Sequence, residues 1–153
     1  MKHSIVVVLL MLVNCLSAQE KTYPRLKENQ KWLENFKTIS AKGAKIDFIK
    51  SKIYSDTSFL SFRNRIILDN SRDPEKHVCK ILFFLKSKKH HCELDLETKP
   101  SLSKVFDLIN EKNIQEIEVI ELPESAALFG SNNCGVIILN CDKMLMQKAR
   151  NVL

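Results

Sequence analysis

The sequence predicts an α+β fold: a small mixed β-sheet of about four strands packed with two or three helices. Three observations carry that expectation. Short runs rich in β-branched and aromatic residues mark strands. Between them lie stretches whose apolar residues recur at helical spacing. Prolines and clustered turn formers separate the two kinds of segment, and no internal repeat or low-complexity linker divides the chain.

The first eighteen residues stand apart. Lys2 and His3 give a positive start, SIVVVLLMLV an apolar core, and LSA a small-residue site ahead of Gln19. This is the three-part pattern of a secretory signal peptide over residues 1–18, with cleavage expected after Ala18. The apolar core is about half the roughly 20 residues a membrane-spanning helix needs. An uncleaved anchor or a buried first helix is the weaker reading. Lipidation at Cys15 is another, although Asn14 stands where a lipoprotein signal usually has a small residue. Membrane association is expected only through a lipid at Cys15. The mature chain, 153 less 18, has 135 residues, enough for one domain with one core.

Within 19–43 the sequence predicts an N-terminal helix. RLKENQKWLENFKTISAKG places Leu26, Leu33, Phe36 and Ile39 on one stripe beside Trp32, and Gly43 is its expected stop. Trp32 is read as the anchor of this helix on the sheet rather than as a ligand platform. Residues 44–153 form the rest of the domain. Ile46 to Tyr54 alternate roughly and suggest an extended segment. Asn64–Asn70 (NRIILDN) reads as a strand, followed by the loop SRDPEK. HVCKILFFLK, from His77 to Lys86, is the most hydrophobic mature segment and is expected to be a central strand buried on both faces. KPSLSKVFDLINEKN predicts a second helix opened by Pro100, with Leu102, Val105, Phe106 and Ile109 on one face. CDKMLMQKARNVL reads as a short terminal helix.

Between those last two helices runs IEVIELPESAALFGSNNCGVIILN, from Ile117 to Asn140. It holds Gly130 and Gly135, two of only three glycines in the chain. Pro123 cannot donate to a ladder, so the strand from Ile117 is expected to end by Leu122. Glu124 to Phe129 are good helix formers, and Glu124 complements the positive end of a short helix. Gly130 can take a positive φ as that helix ends, and Gly135 relieves crowding where the chain re-enters the sheet. Val136 to Leu139 then form a buried strand beside Ile117–Ile120. The glycines are read as backbone devices, with no ligand required.

Four cysteines remain after the leader: Cys79, Cys92, Cys134 and Cys141. An even count in an exported chain permits disulfides in three connectivities. Cys134 and Cys141 lie along one extended segment, roughly 20 Å apart, and should not pair with each other. Cys79 with Cys92 is one pairing that could close the loop around ILFFL; four reduced, buried thiols are the alternative.

The order of these pieces resembles a known family. Ile117-Glu118-Val119-Ile120, the segment ending Ala126-Ala127-Leu128-Phe129-Gly130, and Cys134-Gly135-Val136-Ile137-Ile138-Leu139-Asn140 are similar to the last part of the plug domain of TonB-dependent outer-membrane receptors. That family typically shows an IEVL strand, an SAAALYG turn and an NGVIxITT strand. The likeness is close over 114–140 and weaker over 80–113, where ILFFLK stands at the plug's apolar strand. Cys134 replaces a common Asn, and Asn140-Cys141-Asp142 replaces Thr-Thr-Lys. The resemblance implies a plug-like α/β domain. A chain of this length cannot also hold a receptor barrel, whose many strands take roughly ten residues each. It further implies a non-enzymatic periplasmic interaction module, associated with outer-membrane transport, whose partner is an outer-membrane receptor or a TonB-type energy-transducing protein.

The residues also suggest rival chemistries. His77-x-Cys79 and His90-His91-Cys92 hold ligand types that Zn²⁺ accepts, the basis for a periplasmic metal-binding protein. Yet no C-x2-C spacing occurs and neighbouring strand residues face opposite ways, so no metal site is expected. A Cys/His pair would be the nucleophile of a small exported hydrolase, but no segment supplies an oxyanion turn, and no catalytic residue is assigned. Asp69 with Asp73, or Glu116 with Glu118, could be paired carboxylates; turn bonding and a solvent face are the simpler readings. No phosphate-cradling glycine loop exists, and no cofactor is expected. The mature chain keeps 23 of the 24 basic residues (all but Lys2) against 18 acids, a net charge of +5. Its densest basic run, KSKKHH from Lys86 to His91, suits either an anionic partner or a solvated loop. The loop is the commoner case, and no nucleic-acid partner is expected.

Overall fold

Among the described residues four strands form one mixed sheet in the order β2-β1-β4-β3. The computed structural model describes residues 25–58, 78–88 and 90–152. The expected signal peptide 1–18 with Cys15, the strand 64–70, the loop after it, His77, Asp69 and Asp73 lie outside those residues.

Strand β1 (Lys80–Ser87) turns back into β2 (His90–Glu93), an antiparallel pair in which Leu85 faces Cys92. Strand β4 (Asn133–Cys141) lies parallel to β1, Phe83 opposite Ile137, and antiparallel to β3 (Ile114–Ile120), Ile117 opposite Leu139. The two expected strands at 117–120 and 136–139 are therefore neighbours. The fold is α+β, with five α-helices among the described residues: α1 (Leu26–Thr38), α2 (Lys42–Asp56), α3 (Ser103–Phe106), α4 (Glu124–Phe129) and α5 (Lys143–Val152).

One sheet face meets the helices. Ile81, Phe83 and Leu85 of β1 and Ile137 and Leu139 of β4 join Leu33, Phe36, Ile46, Ile49, Ile53, Phe106 and Met146 in a single core. Trp32 ties three elements together. It stacks on Phe36 and on Phe48 at centroid distances of 5.4 and 4.8 Å and sits edge-on to Phe83 of β1 at 6.0 Å. Such pairs contribute about 0.5–1.5 kcal/mol each beyond area burial. Trp32 is an anchor, as its helical position suggested.

Three expectations are corrected. Residues 46–54 are helical: Ile46, Ile49 and Ile53 fall at helical intervals and are the buried apolar residues of α2, so the apparent alternation is a stripe. Gly43 accordingly lies in the first turn of α2, and α1 ends at Thr38 with Ile39 extended. The helix expected from Pro100 is only a 3₁₀ turn, Pro100–Leu102, continued by the four residues of α3. Leu102, Val105, Phe106 and Ile109 are buried as expected, but asparagines divert the chain beyond them. The Asn110 and Asn113 side chains donate to the Leu108 carbonyl, and Asn110 Oδ1 accepts from the Lys112 amide, which gives the backbone an alternative to the helix. Finally, β1 is central but alternates, with Leu82 and Phe84 only half-buried. The strand closed on both faces is β4.

The cysteine pairing also differs. Cys79 bonds to Cys134, with Cα atoms 5.4 Å apart, while Cys92 and Cys141 are free and buried. Cys79 enters β1 just where β4 begins, so the parallel pairing brings the two together. Asn29 of α1, itself buried, donates to the Cys79 carbonyl at 2.8 Å and meets Cys134 Sγ at 3.5 Å. The bond closes a loop spanning a sequence separation of 55 residues. By chain entropy that restriction stabilises the fold by about 4 kcal/mol. The Cys79→Ala/Cys134→Ala variant should therefore lose about 4 kcal/mol in urea unfolding, and a reducing agent should lower the wild type to the same midpoint without affecting the variant.

Candidate functional site

The turn between β3 and β4 carries the largest concentration of exposed apolar side chains among the described residues. Leu122 is 38% exposed, Leu128 63% and Phe129 40%. Helix α4 starts after Pro123, with the Ser125 amide bonded to the Glu121 carbonyl at 2.8 Å, and lies against β4. Phe129 reaches Phe84 of β1 on the sheet face away from the other helices, ring centroids 5.4 Å apart. The apolar residues Leu82, Phe84, Ile120, Val136 and Ile138 share that face, since β-pairing places them in adjacent rows. Val136 is closed off, whereas Phe84 and Ile120 remain half-exposed.

Polar contacts hold the turn in one shape. Asn133, at the start of β4, donates to the Ser125 carbonyl at 3.1 Å and to the Gly130 carbonyl. The expected glycine roles are both present. Gly130 ends α4 at φ 91° and ψ 164°, a region essentially restricted to glycine. Gly135 has φ 147°, and a Cβ there would stand 3.0 Å from Leu33 Cδ1 and 3.4 Å from the Ile120 carbonyl oxygen. Gly135 thus lets α1 approach the sheet. Replacing Gly130 with Ala should cost about 1–3 kcal/mol through backbone strain, since none of the described residues crowds its Cβ position. Gly135→Ala should cost more, because contact adds to strain; equal losses in chemical denaturation would contradict this.

The candidate metal and nucleophile residues are dispersed. Cys79 is tied up in the disulfide. On β2, His90 and Cys92 share the helix-covered face with Leu85, and His91 points the other way. No group of three or more His, Cys, Asp or Glu residues suited to a metal ion occurs among the described residues. Burial raises the Cys92 thiol pKa. Burial, reinforced by the neighbouring Asp142, pushes Cys141 up to about 11. Both are therefore protonated, poorly nucleophilic thiols at neutral pH. In peptide mapping, iodoacetamide at pH 8 should leave Cys92 and Cys141 unmodified over a time that labels both in urea.

Glu116 and Glu118 do share one face. They line a cleft of 610 Å³ with Lys86 and Lys88, and Asn140 Nδ2 donates to Glu118 Oε1. Glu118 is thus committed to a neighbouring strand. The sequence reading missed two things here: the Cys79–Cys134 pair, visible only once β1 and β4 are known to be parallel, and the meeting of the KSKKHH turn with α5. No helix among the described residues is long and apolar enough to cross a membrane. The chain matches no family model, and no curated protein or solved structure is significantly similar to it.

Proposed function

We propose that the chain is a non-catalytic interaction module of plug type, exported to the periplasm, with the α4 turn as its contact surface. The observation that carries the reading is the β3–α4–β4 unit. The paired strands β3 and β4 are bridged by a six-residue helix, glycines of positive φ stand at its exit and at the return to the sheet, and Leu122, Leu128 and Phe129 are partly exposed on it. Exposed aromatic and aliphatic side chains held on a rigid turn are suited to filling a partner's pocket. The disulfide supports export, because such bonds persist in oxidising compartments. The resemblance of residues 114–140 to the receptor plug indicates the partner class: an outer-membrane receptor or a TonB-type energy-transducing protein.

A Leu128→Ser/Phe129→Ser variant tests the surface. Cross-linking in envelope fractions should recover a receptor or energy transducer with the wild type, with cross-links mapping to 122–130. The variant should lose at least about 2 kcal/mol of affinity, the scale of a buried anchor. Because Phe129 also packs on Phe84, the single variant Leu128→Ser, at the 63% exposed position, is the one that should weaken binding with its melting temperature unchanged. Recovery of cytosolic proteins alone would overturn the assignment.

A further inference from the structure

We propose that the cleft between α5 and the β1–β2 turn binds a phosphate group. This site lies at the opposite end of β4 from the α4 turn and does not rest on the interaction reading. Helix α5 presents Lys143, Gln147 and Arg150 at spacings that place them on one face. Together with Ser87 and His90 from the hairpin they line a cavity of 460 Å³ whose wall, among the described residues, holds no carboxylate. Arg150 Nη1 stands 3.5 Å from His90 Nε2. Neither Lys143 nor Arg150 belongs to an ion pair among the described residues. Two cations in one cleft without a counter-ion repel each other, and a bound anion removes that cost.

The neighbouring cleft of 610 Å³ shares Ser87, His90 and Lys143 and adds Lys86 and Lys88. Three carboxylates line that cleft: Glu118, which accepts from Asn140, Asp142, which accepts from the Leu145 amide at 2.7 Å and caps α5, and Glu116, so the anion is assigned to the 460 Å³ cleft instead. Lys88 has φ 40°, a conformation glycine or asparagine adopts at lower cost in a two-residue hairpin. A lysine stands there, in the wall of the 610 Å³ cleft. The 460 Å³ cleft opens outside the carboxyl ends of the parallel strands β1 and β4. Arg150 can grip a phosphate with two parallel N–H bonds, Lys143 adds a point charge, and Ser87 and His90 donate further hydrogen bonds.

The full mature chain, titrated with inorganic phosphate at low ionic strength and followed by amide NMR, distinguishes the outcomes. Sedimentation with phosphatidic acid vesicles, against phosphatidylcholine vesicles, is the second arm. Saturating shifts confined to 86–90 and 142–151 would support a soluble phosphate ligand. Binding to phosphatidic acid vesicles alone would support a lipid headgroup. In either case Lys143→Gln/Arg150→Gln should weaken binding about tenfold or more, as expected for lost charge-assisted bonds. Lys104→Gln/Lys112→Gln, which removes the same charge elsewhere on the surface, should change it less than about twofold by charge screening. No binding in either arm, or equal weakening by both double variants, would overturn the proposal.

Discussion

Every other feature of this fold depends on β4 being closed on both sides and both faces. It is flanked by a parallel and an antiparallel neighbour, and all but one of its nine residues are buried. A strand in that position fixes register strongly, because a one-residue slip would turn every side chain to the wrong face. The parallel pairing with β1 then brings Cys79 to Cys134, and Gly135 gives α1 the room to lay Leu33 on the sheet. Asn29 completes the arrangement by meeting both cysteines. A side chain missing from one place is therefore felt in three elements.

The sequence made some of this legible for definite physical reasons. The β3–α4–β4 unit was readable because its signals are local: Pro123 stops a strand, helix formers follow, and two glycines stand where no other residue fits without strain. The same holds for α1, whose stripe and tryptophan lie within one segment. Where the reading failed, two patterns competed or the deciding contact was distant. Ile46, Ile49 and Ile53 fit a helix, but intervening Phe48 and Tyr54 imitated alternation. The helix after Pro100 has the right apolar face but is cut short by asparagine side chains that bond the backbone. No local signal could choose the cysteine partner, because that choice follows from strand order. The basic turn looked like an ordinary solvated loop because Lys143 and Arg150 lie more than fifty residues farther along the chain.

Strand β4 also gives the molecule two unlike poles. At its amino end the disulfide, Asn133 and the α4 turn form a rigid, apolar corner. At its carboxyl end the hairpin and α5 bring together Lys86, Lys88, Lys143 and Arg150. Its nine residues span eight intervals of about 3.3 Å, which separate the poles by roughly 26 Å. Charges that far apart are screened from one another at physiological salt, where the Debye length is about 8 Å. An anion held at the cationic pole therefore leaves the apolar corner electrostatically undisturbed. The β-sheet joins the poles as a stiff spacer rather than a hinge, since its core is continuous from Leu33 to Met146. If the cationic pole rests on a phosphate-bearing surface, the α4 turn stands at the other end of β4 from that surface. The two proposed sites can then be occupied together, because neither lies in the other's way and their charges are screened from each other.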